Sequence, residues 1–118
     1  MLQRFDVGSR LSEMAVWNGV AYLAGQVPDD ASLDIRGQTA QVLAMIDRLL
    51  ERAGTDRSRL LMVQIFLADL ADFDGMNEVW DAWVAPGNAP PRATVQAALA
   101  RPQWKIEIVV TAAVPPAA

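Results

Sequence analysis

The 118-residue chain contains no cysteine, no histidine, one lysine (Lys105) and one tyrosine (Tyr22). Without cysteine there is no disulfide framework and no thiolate nucleophile. Without histidine there is no imidazole acid or base, and the usual zinc ligand sets cannot be assembled. Triad mechanisms and two-histidine ribonuclease chemistry fall with them, and Schiff-base or tyrosine-acid mechanisms keep a single candidate each. No apolar run approaches the roughly 20 residues needed to span a bilayer, and the opening Met1-Leu2-Gln3-Arg4-Phe5-Asp6 lacks a signal-peptide core. The expectation is a cytoplasmic protein with no membrane partner. Positive charge is thin as well: nine arginines are scattered through a chain of net charge −4 and pI near 4.6. A sequence-independent nucleic-acid binder needs a clustered basic face to displace counterions, so a nucleic-acid partner is not expected.

What is present is apolar side chain, 53% of residues against 20% charged, which excludes a long disordered region and suits one domain over residues 1–118. There is no internal repeat and no low-complexity segment. Two short apolar runs, Glu13–Trp17 and Val20–Ala24, flank Asn18-Gly19, the strongest short hairpin signal. A further short strand is expected within Leu2–Val7, pairing through a turn near Gly8-Ser9. Gly25–Ser32, with Pro28-Asp29-Asp30, reads as a loop. From Asp34 to Ala53, Ile35, Val42, Leu43, Ile46, Leu49 and Leu50 recur at helical spacing, and Gly54 stands where a C-terminal cap belongs.

Leu60–Ala68 is a nearly continuous apolar run of strand length, which predicts a central strand covered on both faces. Asp72 is positioned to cap a second helix running to about Val84, with Phe73, Met76, Trp80 and Trp83 in one stripe and Asn77 on it. After Pro86, Gly87, Pro90 and Pro91, extended runs are expected at Arg92–Ala100 and Trp104–Ala113. The second alternates, one face fully apolar and the other partly so. This order predicts an α+β fold with a mixed sheet and both helices packed on one face. Apolar residues such as Val109 and the small Ala93 would then face outward unless another copy of the chain covers them, which favours an oligomer.

Asn88-Ala89-Pro90-Pro91-Arg92-Ala93-Thr94-Val95, followed by Trp104-Lys105-Ile106-Glu107-Ile108, resembles the ending of the YjgF/RidA family of reactive-intermediate deaminases. Leu23-Ala24-Gly25-Gln26-Val27-Pro28 is similar to that family's Gly-Gln turn, and Phe66–Phe73 with Met76–Trp80 to its strand-to-helix junction. Four short motifs in the right order cover nearly the whole chain. The resemblance implies a chorismate-mutase-like fold and a homotrimer with a ligand cleft between neighbouring subunits. It also implies hydrolysis of short-lived 2-enamine or 2-imine acids, such as 2-aminoacrylate, to 2-keto acids and ammonia, with no cofactor and no metal.

Arg92 matches the family's carboxylate-binding arginine, and its planar fork suits bidentate capture of a 2-imino or 2-keto acid. The plain alternative is an ion-paired strand arginine. Glu107 matches the family's acidic residue, where it would orient water or move protons; otherwise it is a rim carboxylate paired with Lys105. Strand register does not set the two opposite each other, so cooperation would be diagonal or between subunits. Asn77 requires a hydrogen-bond partner if buried, whether that partner is ligand or protein. Thr94, two residues beyond Arg92 and on the same face, stands where relatives carry cysteine.

Three positions depart from the family pattern: Leu11 replaces a tyrosine, Ala24 a small hydroxyl residue, and Thr94 the cysteine. Fewer donors then remain for the carbonyl oxygen or leaving ammonia. Trp17, Trp80, Trp83 and Trp104 are available to line an apolar pocket, although aromatics at these periods usually build core. The competing readings are a non-catalytic trimer that binds small carboxylates, favoured by Leu11 and Ala24, and the ribonuclease or translation-inhibitor activity attached to parts of the family, disfavoured by the missing histidine.

Overall fold

A computed structural model describes residues 1–117. Asn18 and Gly19 both take positive φ (51° and 75°), the two-residue turn whose twist matches that of the strands it joins. It connects β2 (Met14–Trp17) and β3 (Val20–Leu23), while β1 (Gln3–Phe5) pairs antiparallel with β2. Helix α1 (Ile35–Arg52) begins where the Asp34 side chain accepts from the Gly37 backbone N–H at 2.9 Å. It ends as Gly54 N–H reaches Glu51 O and Thr55 N–H reaches Leu50 O, each at 3.0 Å, with Gly54 at φ 82°. β4 (Leu60–Leu67), α2 (Phe73–Trp83), β5 (Arg92–Gln96) and β6 (Ile106–Ala113) follow.

The six strands form one mixed sheet in the order β1-β2-β3-β6-β4-β5, with β4 and β5 the single parallel pair. Val63, Ile65 and Leu67 of β4 and Ile106, Ile108 and Val110 of β6 are buried with Val42, Ile46 and Leu50 of α1 and Met76 of α2. The expected α+β architecture is therefore present. Among the described residues, no helix is long and apolar enough to cross a membrane.

Three expectations need correction. β4 does lie inside the sheet, but one face only is covered: Leu61, Met62 and Gln64 are exposed, because both helices pack on the other side. Asp72 makes no side-chain cap for α2. The chain enters α2 through a single 3₁₀ turn, Leu70–Asp72, so Asp72 already has near-helical φ and ψ (−86°, 2°), and the extended Asp69 caps that turn by accepting from Ala71 N–H at 2.9 Å. The strand expected to reach Ala100 stops at Gln96, opposite the end of β4, with Ala97 N–H on Leu67 O as the last rung.

Gln38, fully buried on α1, holds two distant loops to the helix. Its amide donates to Ala31 O (3.1 Å), Leu33 O (3.0 Å) and Gln103 O (3.2 Å), and its carbonyl accepts from Lys105 N–H (2.8 Å). The contact with Lys105 fixes where β6 enters the sheet. A Gln38→Leu substitution keeps the volume and strands these groups, so it is expected to cost about 2–4 kcal/mol, read as a lower denaturant midpoint at unchanged slope.

Candidate functional site

Sheet parity decides where the site residues go, because residues directly opposite one another across strands share a face. Arg92 is opposite Val63, which is opposite the buried Val110; all three therefore face the helices. Glu107 is opposite Phe66, which is opposite Val95, on the bare face. Within one chain Arg92 and Glu107 project from opposite faces of the sheet, and diagonal cooperation between them is excluded.

Around Arg92 the helix face supplies a platform. The guanidinium carbon lies 5.1 Å from the Trp80 ring centroid, and Nη1 donates to Asn77 Oδ1 at 2.8 Å. Asn77 and Trp80 are three residues apart on α2 and so share a face. The bond to Arg92 gives Asn77 the partner that its place on an apolar stripe requires. Burial pushes the guanidinium below its ordinary pKa, opposed by the charge of Asp81. The ion pairs among the described residues are Arg36–Glu78, Arg52–Asp6 and Arg57–Asp47, and Arg92 belongs to none of them. Thr94 points to the same side, its Oγ1 buried without a partner among the described residues. A partly desolvated cation held over an indole, with most of its donor fork free, is suited to a planar anion such as a carboxylate.

Glu107 belongs to a different hollow. It lines a cleft of about 370 Å³ with Leu11, Gly25, Gln26, Val27 and Trp104. The cleft forms where the chain leaves β3. There Gln26 N–H donates to Ile108 O (2.8 Å) and Ile108 N–H to Gln26 O (3.1 Å), which lays the Gly-Gln turn beside β6. The buried Gln26 amide donates to Ala24 O (3.0 Å) and Glu13 Oε2 (3.3 Å) and so fixes the turn's shape. Leu11 thus stands in the cleft wall, and Ala24 precedes the turn. Glu107 makes no ion pair with Lys105, which stands just before β6 and whose backbone N–H donates to the Gln38 side-chain carbonyl.

Six candidates chosen from sequence therefore fall into two half-sites: Arg92, Asn77 and Thr94 on the helix face, and Glu107, Leu11 and Ala24 around the turn. The platform role of Trp80 was hidden in its helical stripe, where its spacing of three from Asn77 was the available signal. Trp83 is tied into the core by its indole N–H to Asp47 Oδ2 (2.9 Å), Trp104 lines the cleft, and Trp17 is exposed on the bare face.

The model of the endoribonuclease L-PSP family matches residues 1–114. The chain belongs to this YjgF/RidA family. A RutC family protein of Haemophilus ducreyi is 56% identical over 114 residues, 97% of each chain. The crystal structure of a YjgF family member from Neisseria meningitidis superposes with a TM-score of 0.96 at 44% identity, over 99% of this chain and 98% of that one. Further off, the chloroplastic reactive intermediate deaminase A of Arabidopsis thaliana is 33% identical over 84% of this chain and 52% of its own length. Arg92, Glu107 and the Gly25-Gln26 turn all lie within the span that the YjgF/RidA model matches.

If Arg92 is a free anion receptor, a carboxylate introduced beside it should occupy the fork. Asn77→Asp is expected to weaken binding of a small 2-keto acid by about tenfold or more while leaving the melting temperature unchanged or higher, by calorimetric titration and thermal melt.

Proposed function

We propose that the protein hydrolyses reactive 2-enamine and 2-imine acids, such as 2-aminoacrylate, to 2-keto acids and ammonia, as a cytoplasmic homotrimer without cofactor. The observation that carries this reading is the unpaired Arg92 guanidinium lying over Trp80. It supplies the carboxylate receptor such a substrate needs. Because Arg92 and Glu107 leave opposite faces of the sheet, one ligand can meet both only where two copies abut, Arg92 coming from one and Glu107 from its neighbour. The bare face supports the assembly: Trp17, Tyr22, Met62 and Val95 on it are each more than a third exposed in the single chain.

The proposed chemistry asks little of the side chains. Arg92 holds the carboxylate and presents C2 of the imine; an enamine first takes a proton at C3 and loses one from nitrogen to become that imine. Water attacks C2 as the C=N electron pair moves to nitrogen, and Glu107 accepts the proton that the water loses. Glu107 returns this proton to the nitrogen, giving a carbinolamine; it then takes the C2 hydroxyl proton and passes it to the amine nitrogen, so that the C–N bond breaks as the C2 carbonyl forms and ammonia leaves. Such imines hydrolyse spontaneously, so orientation and modest electrostatic help suffice, and neither histidine nor cysteine is required. The deaminase name of the Arabidopsis relative is consistent with this reading.

A second reading keeps the same receptor and omits turnover. It is favoured by Leu11 in the cleft wall and Ala24 before the turn, which remove hydroxyl donors from the Glu107 side. Ammonia release with and without the protein, from an amino-acid oxidase or dehydratase that generates imines, separates the two. Acceleration supports the deaminase; saturable 2-keto acid binding without acceleration supports the binder. Salt-sensitive RNA binding would instead point to the ribonuclease reading.

Arg92→Lys, which keeps charge and loses the fork, is expected to retain weak keto-acid binding and lose most acceleration, with stability within about 0.5 kcal/mol. Glu107→Gln is expected to slow turnover and leave the trimer intact by light scattering. Mixing is more decisive. Neither variant alone should turn over well, but mixed trimers of Arg92→Lys and Glu107→Gln chains contain interfaces where intact Arg92 meets intact Glu107, and activity should return. A mixture as inactive as its parents would place both residues in one chain's site or in none.

A further inference from the structure

We infer that Gly25 is a positioning residue for the Glu107 carboxylate, its missing side chain providing the space in which that carboxylate lies against the turn. The inference rests on the deaminase reading for its catalytic consequence, but not for its geometry. Gly25 has no positive φ, unlike Gly19, Gly54 and Gly87, so backbone conformation does not require glycine there. Space does. A Cβ on Gly25 would stand 2.1 Å from Glu107 Oε2 and 2.9 Å from Cδ, both closer than non-bonded atoms tolerate, and 3.1 Å from Cγ, a tight contact.

Of the two partners in that clash, one is fixed and one is free. Gln26, next to Gly25, is paired with Ile108 through both of its backbone groups, and its side chain is held by Ala24 O and Glu13. Glu107 is anchored through its own strand, but its carboxylate is the end of a flexible side chain with no ion-pair partner among the described residues. A methyl group at position 25 therefore moves the carboxylate and leaves the turn in place. The Glu107 rotamer is selected by the absence of one carbon atom across a strand boundary.

Stability and function then separate. Gly25→Ala is compatible with the local backbone and narrows the unfolded ensemble, so the melting temperature should stay the same or rise. Carboxylate capture belongs to Arg92 of the other copy, so affinity for a 2-keto acid should stay within about twofold. Proton transfer depends on where Glu107 stands, and a displacement of about an ångström is expected to lower kcat about 100-fold.

The test measures kcat, 2-keto acid affinity and melting temperature for wild type, Gly25→Ala and Glu107→Gln, and follows the Glu107 side-chain carboxyl carbon by NMR titration. Low kcat with preserved affinity and a shifted Glu107 carboxyl signal supports the inference. Wild-type kcat in a folded Gly25→Ala oligomer overturns it, while slow Glu107→Gln turnover in the same series leaves the deaminase reading standing. If the wild type itself gives no acceleration, the deaminase reading fails, and the carboxyl signal alone decides: displaced in Gly25→Ala, it supports the positioning; unmoved, it overturns it. Should Gly25→Ala fail to fold, Gly25→Ala/Glu107→Ala removes the obstruction and must fold, or the inference is wrong.

Discussion

A two-layer molecule has one covered sheet face, and strand alternation allows no side chain to choose its own side. Every feature of the candidate site follows from that constraint. With α1 and α2 both packed over the same face, the β5 residues opposite buried β4 positions are drawn under the helices, and Arg92 is the first of them. The β6 residues between the core positions Ile106 and Ile108 are sent the other way, and Glu107 is the residue there. A shift of one residue in the register of β6 on β4 would turn β6 over and bury the glutamate in the core, while Arg92, set by β5 on β4, would stay where it is.

That register is held by contacts outside the sheet ladder. Gln38 takes hold of β6 at its entry through Lys105 N–H, and Gln26 takes hold of it three residues on through Ile108. Gln38 does so with its buried amide's donors and carbonyl engaged, Gln26 with both backbone groups while its buried side-chain amide donates to Ala24 O and Glu13, an arrangement that fixes position more tightly than apolar packing alone, because slippage leaves polar groups without partners. Glu107 lies between these two anchors.

The sequence is legible where the physics is local. Asn18-Gly19 demanded positive φ at two successive residues, Asp34 and Gly54 bracketed a helix of the right period, and alternation in the last strand gave its two unequal faces. Expectations fail where the outcome depends on what lies outside the segment. Asp72 has the identity of a cap, but the turn just before it is already helical. Ala97–Ala100 looked extended, but β4 had ended and offered no rungs. Gln38 carried no sequence signal at all, since one of its acceptors is 65 residues away. For the site, each residue's own strand face was legible, whereas the separation of Arg92 from Glu107 depends on both strands pairing with β4, which no single strand's pattern contains.

The ends of the sheet bear on how copies of the chain can meet. One edge is β1, three residues long, and the other is β5, five residues long, parallel to its neighbour and entered through Pro90 and Pro91, which have no N–H to offer. Short edges of this kind are poor templates for adding further strands. The broad apolar surface lies instead on the flat of the sheet. Copies meeting through that flat would use up the apolar area and form small finite particles, in contrast to the open-ended edge-to-edge growth that leads to fibres.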